Sequence, residues 1–174
     1  MTFYRTLFCL FACAIFAACQ GKKEIPSASE APSYTDSVIV RIFGSDTGLF
    51  RGVSLGMTLP QVKTLQKGKP EEEEEDYLSY SFGFKDTLQG NYYYNFEEGL
   101  DEIGIDIYRE KQKECNWIFD RLKTYFTKKY GPFRSENRLL IWHVNNQGKE
   151  GAEVTLADES LDYGYGKLTV TIFP

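Results

Sequence analysis

The fold of this chain is decided by residues 111–132, whose sequence is KQKECNWIFDRLKTYFTKKYGP. An α-helix turns by about 100° per residue, so the apolar side chains here share an arc of about 140°. They are Cys115, Ile118, Phe119, Leu122, Tyr125, Phe126 and Tyr130. Gly131 and Pro132 then end the helix, because glycine adopts the left-handed conformation without steric cost and proline cannot resume the helix. The stretch predicts a helix over about 111–130 with one apolar face that can pack on a sheet.

A similar helix and stop are predicted earlier in the chain. Thr58 is a candidate N-cap, and Pro60 is tolerated in the first turn because its missing N–H has no helical partner there. The helix is expected to run from Leu59 to about Lys67. Gly68 should end it in the left-handed conformation, and Pro70 prevents its continuation.

Runs of apolar residues around the two helices predict strands. They cover residues 77–84, 92–96, 103–108, 139–144, 152–157 and 165–173. The short turn at 97–99 predicts that the strands on either side of it are antiparallel neighbours. A further run at 38–43 is either a first edge strand or a packed lead-in.

The order of these elements is helix and three strands, then helix and three strands again. This order predicts one α+β domain over residues 38–174, made of tandem α-β-β-β repeats at about 38–108 and 109–174. Because each helix offers one apolar face, we expect a two-layer sandwich. Its antiparallel sheet carries the helices packed on one face and leaves the other face partly open.

The amino terminus is typical of a secretory leader over residues 1–18, with Arg5 followed by an apolar stretch. That stretch would form a helix of about 18 Å, too short for a hydrocarbon core of about 30 Å. Phe16-Ala17-Ala18-Cys19 resembles the lipobox of bacterial lipoproteins, which implies cleavage before Cys19 and acylation of its thiol. A plain secretory leader cleaved elsewhere is the alternative. Residues 19–37 are rich in Ser, Pro and Lys and predict a flexible tether.

The charge of the chain excludes some partners. Its formal net charge is −5 and becomes one unit more negative when the leader is removed with Arg5. Nucleic acid is therefore not expected, because phosphate binding needs a basic face. Cys9 and Cys13 leave with the leader and Cys19 carries lipid. Cys115 then has no partner for an intrachain disulfide and is expected to be a buried thiol.

Two stretches of the chain resemble a known family. Gly56-Met57-Thr58-Leu59-Pro60-Gln61-Val62 followed by Gly68-Lys69-Pro70 resembles the opening of small outer-membrane lipoproteins of the SmpA/OmlA type, which assist barrel assembly. Lys129-Tyr130-Gly131-Pro132, Trp142 and the final strand resemble the second half of tandem versions of that fold, including β-lactamase-inhibitor proteins. The motifs are structural ones, a turn, a helix start and a helix stop, so the resemblance implies a fold more than an activity.

Aromatic residues are the candidates for partner binding. In a strand, Tyr92 and Tyr94 face one way and Tyr93 the other, so at least one of them should lie on the open face of the sheet. Tyrosine is a good interface anchor, although ordinary packing is the simpler interpretation. Trp117 points away from the apolar face of its helix. It is either covered by residues 38–43 or exposed for a partner.

Enzymatic chemistry is not indicated. His143 has no neighbouring pattern that would form a triad or a metal site, and the nucleotide, zinc-protease and hydrolase motifs are missing from the sequence. The acidic run 71–76 predicts a solvated loop, with contact to a basic partner or weak calcium binding as alternatives. We therefore expect no catalytic residues, cofactor or metal.

The expected function is a protein-binding or adaptor role in the cell envelope. Gln20 favours the outer membrane, facing the periplasm, because an aspartate at that position is the usual signal for inner-membrane retention. One alternative is an inhibitor that blocks an extracytoplasmic enzyme with a loop such as 85–91 or 158–164. Another is a carrier of a small apolar ligand.

Overall fold

The computed structural model describes residues 37–44, 47–84, 88–144 and 151–174. The leader, Cys19, nearly all of the predicted tether and residues 85–87 of one candidate loop lie outside the described residues. Within them, the helices are α1 (Ser37–Phe43), α2 (Leu59–Leu65), α3 (Asn116–Tyr130) and α4 (Ser160–Tyr163). The strands are β1 (Glu72–Glu73), β2 (Tyr77–Phe84), β3 (Leu88–Phe96), β4 (Leu100–Arg109), β5 (Arg134–Glu136), β6 (Leu139–Val144), β7 (Ala152–Asp158) and β8 (Gly166–Phe173).

The strands form one open sheet of eight strands in the order β1-β2-β3-β4-β8-β7-β6-β5. All neighbouring strands are antiparallel, and the predicted hairpin between β3 and β4 is confirmed. Since β4 and β8 are the last strands of two successive meanders, their pairing joins the two halves of the chain. With its helices and this sheet, the protein is a mixed helix-and-strand structure, as predicted. None of the helices in the described part of the chain has the length and apolar character that crossing a bilayer requires.

Side chains alternate between two faces of the sheet. On the face that we call the buried face, one cross-strand row carries Tyr94, Ile103, Ile172, Val154 and Trp142. Each of these side chains is fully buried. Because the alternation has a period of two, the residues between them point to the opposite face, which we call the outer face.

Helix α3 packs on the buried face against β6 and β7. Its buried side chains are Ile118, Leu122, Tyr125 and Phe126, all members of the predicted apolar stripe. The rings of Phe126 and Trp142 lie 5.2 Å apart, and the Trp142 indole N–H donates to the Thr127 hydroxyl at 3.3 Å. The helix ends where predicted, with Gly131 at a φ of 95°. Its start differs, because residues 112–114 form a 3-10 turn and α3 begins at Asn116.

Helix α2 begins as predicted. The Thr58 N–H donates to the side chain of Gln61 at 2.9 Å, which satisfies a donor that the helix itself leaves free. The helix ends at Leu65, two residues before the predicted end, because Gln66 already has extended backbone. Gly68 does adopt a positive φ of 105°, but it lies beyond the helix and turns the chain toward β1.

The prediction of an edge strand at 38–43 is wrong, and the alternative of a packed lead-in holds. The segment is helix α1, and its buried residues are Ile39, Ile42 and Phe43. That spacing of three and four residues puts all three on one side of a helix, whereas in a strand they would be divided between two faces. The Phe43 ring lies 5.1 Å from that of Tyr125 and 5.5 Å from that of Phe126.

Three short elements were not predicted. β1 lies within the acidic run, β5 precedes β6, and α4 occupies the loop at 158–164. Each has two to four residues. An element of two to four residues is too short to show a hydrophobic repeat, so periodicity cannot reveal it.

Candidate functional site

The outer face of the first four strands is polar. It carries the side chains that alternate with the buried ones, among them Tyr77, Ser79, Ser81, Asn91, Tyr93, Asn95, Glu102, Asp106 and Tyr108. None of these side chains is fully buried. In contrast to the buried face, this surface can hydrogen-bond to a ligand or a partner.

Tyr93 lies flat on the outer face. It pairs with Gly104 across the strands, and a Cβ placed on Gly104 would be only 2.0 Å from Tyr93 Cζ. The glycine therefore leaves room for the tyrosine ring. On the other side, the rings of Tyr93 and Tyr77 stack with their centroids 6.1 Å apart and their planes inclined by 26°. The two tyrosines form a small aromatic platform.

The Tyr93 hydroxyl is held as a neutral donor. Burial raises its pKa above the ordinary value, and the negative charge of Glu102 and a hydrogen bond with that carboxylate raise it further. Asn95 also donates to Glu102, at 3.2 Å. The platform is thus fixed in position by its hydrogen bonds as well as by packing.

A groove of about 530 Å³ lies over this part of the outer face. We call it the outer groove, and its lining consists of Glu71, Glu72, Tyr77, Ser79, Tyr80, Ser81, Asn91, Tyr93 and Asp106. Three of these residues are carboxylates, and the lining contains no basic side chain. The Ser81 hydroxyl donates to Glu71 at 2.6 Å, which fixes one acid at the rim.

Asp106 belongs to a second polar cluster on β8. The Thr169 hydroxyl lies 2.8 Å from an oxygen of Asp106 and 3.0 Å from one of Glu159. The Lys167 ammonium lies 2.8 Å from Glu159 and 3.8 Å from Asp106. Burial acts to lower the pKa of Lys167, but hydrogen bonds to Glu159 and Tyr163 and the nearby carboxylates outweigh it and raise the pKa. Lys167 is therefore charged and offsets part of the charge of Asp106.

The loop that contains α4 presents apolar side chains to solvent. Leu161 is 71% exposed, Tyr163 is 50% exposed and Tyr165 is 39% exposed. The loop is nevertheless tied to the sheet, because Asp158 accepts from the Ser160 N–H at 3.0 Å and Arg138 forms an ion pair with Asp162 at 3.2 Å. A second groove of about 590 Å³ lies beside Tyr165, and its lining includes Leu88, Tyr108 and Arg109.

The predicted tyrosine candidates are separated by the sheet. Tyr93 reaches the outer face, but Tyr92 and Tyr94 are buried on the other face at 3% and 0% exposure. Tyr92 stacks on Tyr80 with ring centroids 5.2 Å apart. Tyr92 and Tyr94 are therefore core residues and cannot act as partner-binding residues, because the packing leaves them no surface to present.

Trp117 is not covered by residues 38–43, so of the two alternatives predicted for it, the covered one is wrong. Helix α1 packs instead against Tyr125 and Phe126 of α3, and Trp117 is 43% exposed with the Arg121 guanidinium 5.5 Å from the ring centroid. Because α3 lies on the buried face of the sheet, Trp117 and Tyr93 do not share one surface. Tyr93 lines the outer groove.

The remaining candidates for chemistry are dispersed. His143 is exposed on β6, where it contacts Arg134 and lies 3.2 Å from Glu153. Cys115 is fully buried, and burial raises the pKa of its thiol. Within the described residues, no group of three or more His, Cys, Asp or Glu side chains could hold a metal ion.

The outer groove was missed as a site, whereas the loop that contains α4 was named from the sequence as a possible inhibitory loop. Strand parity relates residues within one strand, so placing Tyr77, Tyr93 and Asp106 on one face also requires the register between β2, β3 and β4.

Comparisons of the chain with models of protein families, with curated proteins and with solved structures gave no match.

Proposed function

We propose that this protein is a lipid-anchored component of the bacterial cell envelope that binds another envelope protein through the outer face of its sheet. Acylation of Cys19, implied by the lipobox-like sequence before it, would supply the anchor, and Gln20 favours the outer membrane. The acidic charge of the chain gives no attraction to anionic headgroups, so the acyl chains would carry the attachment. The leader and the tether support this address.

The outer groove is the observation that carries the binding role. A concave surface with a rigid aromatic platform and hydrogen-bonding groups at its rim is what a protein interface uses as an anchor point. Tyr93 and Tyr77 are already ordered by stacking, so their immobilisation costs little further entropy on binding.

The finer architecture is part of the proposal. The order α2 then β1 to β4 is repeated as α3 then β5 to β8, and the two meanders meet at β4 and β8. This order supports tandem repeats within a two-layer sandwich whose helices lie on one face. It is the arrangement that the resemblance to SmpA/OmlA-type lipoproteins implies, and it supports a role in envelope assembly.

Inhibition of an extracytoplasmic enzyme is the second candidate. The α4 loop favours it, because Leu161 and Tyr163 project from a loop that hydrogen bonds hold in one shape. A rigid apolar projection can enter an active site without losing much conformational entropy. The carrier hypothesis gains less support, because both grooves are lined by charged and polar side chains that a small apolar ligand would desolvate.

Crosslinking in cells separates the two candidates. If the outer groove is the interface, Tyr93→Ala should weaken binding of the partner by about 2 kcal/mol and so reduce its capture. Leu161→Ala should leave the capture unchanged. The reverse pattern would favour the inhibitor. Trp117→Ala is the control on the far side of the molecule, and thermal unfolding of each variant shows whether a lost capture reflects a lost fold.

Mass spectrometry of the native protein tests the anchor separately. We expect the amino terminus at Cys19 with its thiol acylated. A free thiol there, or recovery of the native protein in the cytosol, would contradict the proposed address.

A further inference from the structure

We infer that the outer groove receives a basic segment of the partner, with a lysine or arginine side chain placed over the Tyr77–Tyr93 platform. This inference rests on the proposed function, because it names the chemistry of what the outer face binds.

The groove is negatively charged, which favours a basic ligand. Glu71, Glu72 and Asp106 contribute to its lining, and of these three carboxylates Asp106 is the one that pairs with Lys167, at 3.8 Å. The nearby Lys63 is not available to the groove, because it pairs at 2.5 Å with Glu73, whose side chain alternates to the other face of β1. The rim formed by Glu71 and Glu72 therefore presents negative charge that a basic side chain would complement.

The aromatic platform carries the second step. A cation over the face of a tyrosine is attracted by the ring quadrupole. The same chain already uses this contact elsewhere, with the Lys167 ammonium 4.2 Å from the Tyr163 centroid and the Arg51 guanidinium 4.7 Å from the Tyr92 centroid. Tyr77 and Tyr93 line the same groove as Glu71, Glu72 and Asp106, so one basic side chain can contact both kinds of group.

Other ligand chemistries fit less well. An acidic segment would bring like charges together in a concave site, where repulsion is least screened. An apolar segment would remove water from Glu71, Glu72 and Asp106 without replacing the lost hydrogen bonds. A basic peptide also supplies backbone N–H groups, which the serine and asparagine oxygens of the lining can accept.

Peptide titration of the full chain tests the inference. The probes are a short extended peptide in which arginine alternates with serine, and the same peptide with glutamate in place of arginine. Calorimetry should show that the arginine peptide binds more tightly and that added salt weakens its binding. Glu71→Gln and Glu72→Gln together should weaken it about three- to fivefold. Glu136→Gln on β5, at the far end of the sheet, is the matched control and should leave the affinity unchanged.

Equal binding of the two peptides would overturn the inference. The inference would also be overturned if the variant with both Glu71→Gln and Glu72→Gln bound the arginine peptide no more weakly than the Glu136→Gln control does. If Tyr93→Ala still removes partner capture in cells under either result, the proposed interface stands and its charge preference is wrong. If Tyr93→Ala has no effect on capture and its fold is intact, the interface itself is wrong.

Discussion

At the scale of single residues, the site depends on one glycine. Gly104 lies in the middle of β4, where glycine is ordinarily unfavourable because it packs no side chain. Here the ring of Tyr93 covers it and fills the space that a side chain would take. Gly104 leaves the space that the Tyr93 ring fills, and the ring provides the packing that the glycine lacks. A substitution of either residue therefore affects the other.

Gly104→Ala should therefore disturb both stability and the platform. The new methyl group would lie 2.0 Å from Tyr93 Cζ, so the ring must move off the sheet. We expect a loss of about 1–3 kcal/mol in the free energy of unfolding, measured with urea. In the double variant with Tyr93→Ala the clash is absent, so the second substitution should cost much less than it does alone. Additive losses would show that the ring does not occupy the position described.

The parity of the tyrosine run was predictable, but its consequences were only partly so. Alternation places Tyr93 opposite to Tyr92 and Tyr94 in any strand. Which face the helices cover depends on where α1 and α3 pack, and no local pattern in β3 contains that information. The sequence could therefore name Tyr93 as a candidate without excluding its two neighbours.

At the scale of elements, α1 shows that a short apolar run can indicate the wrong secondary structure. Residues 38–43 contain four branched aliphatic side chains, which favour a strand. Packing overrides that preference, because a helix places Ile39, Ile42 and Phe43 together against α3 and the loop at Phe50. The spacing that reveals the helix was present in the sequence, but one turn and a half is too short for periodicity to decide.

Phe43→Ala tests the contribution of α1 to the core. The side chain is 1% exposed and meets three aromatic rings, so its removal should cost about 3–5 kcal/mol of unfolding free energy. Val40→Ala on the same helix is only partly buried and serves as the control, with an expected loss below about 1 kcal/mol. Denaturant unfolding measures both. Equal, small losses would mean that α1 does not pack on α3.

At the scale of the whole molecule, buried tyrosines link stability to alkaline pH. Burial is the largest cause that raises the pKa of Tyr80, Tyr92, Tyr93 and Tyr94, and burial with the charge of Asp106 raises that of Tyr108 to about 12. In the unfolded chain these groups lose their protons near pH 10. Above that pH the unfolded state binds fewer protons than the folded state, so stability must fall as pH rises.

The predicted observation is a urea midpoint that decreases steadily from about pH 9 upward. Tyrosinate absorbance should lag behind that of the urea-unfolded chain over the same range. Tyr108→Phe removes one of the groups and should make the decrease shallower. A midpoint that stays constant up to about pH 11 would show that these side chains reach water in the folded protein.

The two meanders should not be stable apart, because the centre of the sheet is their common boundary. β4 and β8 pair Ile103 with Ile172 and Ile105 with Val170, and all four side chains are fully buried. A chain cut between residues 109 and 110 would expose this seam as two unprotected sheet edges, which favours aggregation over folding. Separation also removes Phe43 of the first half from Tyr125 and Phe126 of the second.

We therefore expect that neither fragment alone unfolds cooperatively in urea, and that mixing them restores a cooperative transition and the far-ultraviolet spectrum of the intact chain. Ile105→Asp in the first fragment places a charge in the buried seam and should prevent this reassembly. Cooperative unfolding of either fragment alone would show two independent units, each with its own core. Reassembly without such folding would mean that the halves, although similar in their order of elements, share one core through β4 and β8 and fold as one cooperative unit.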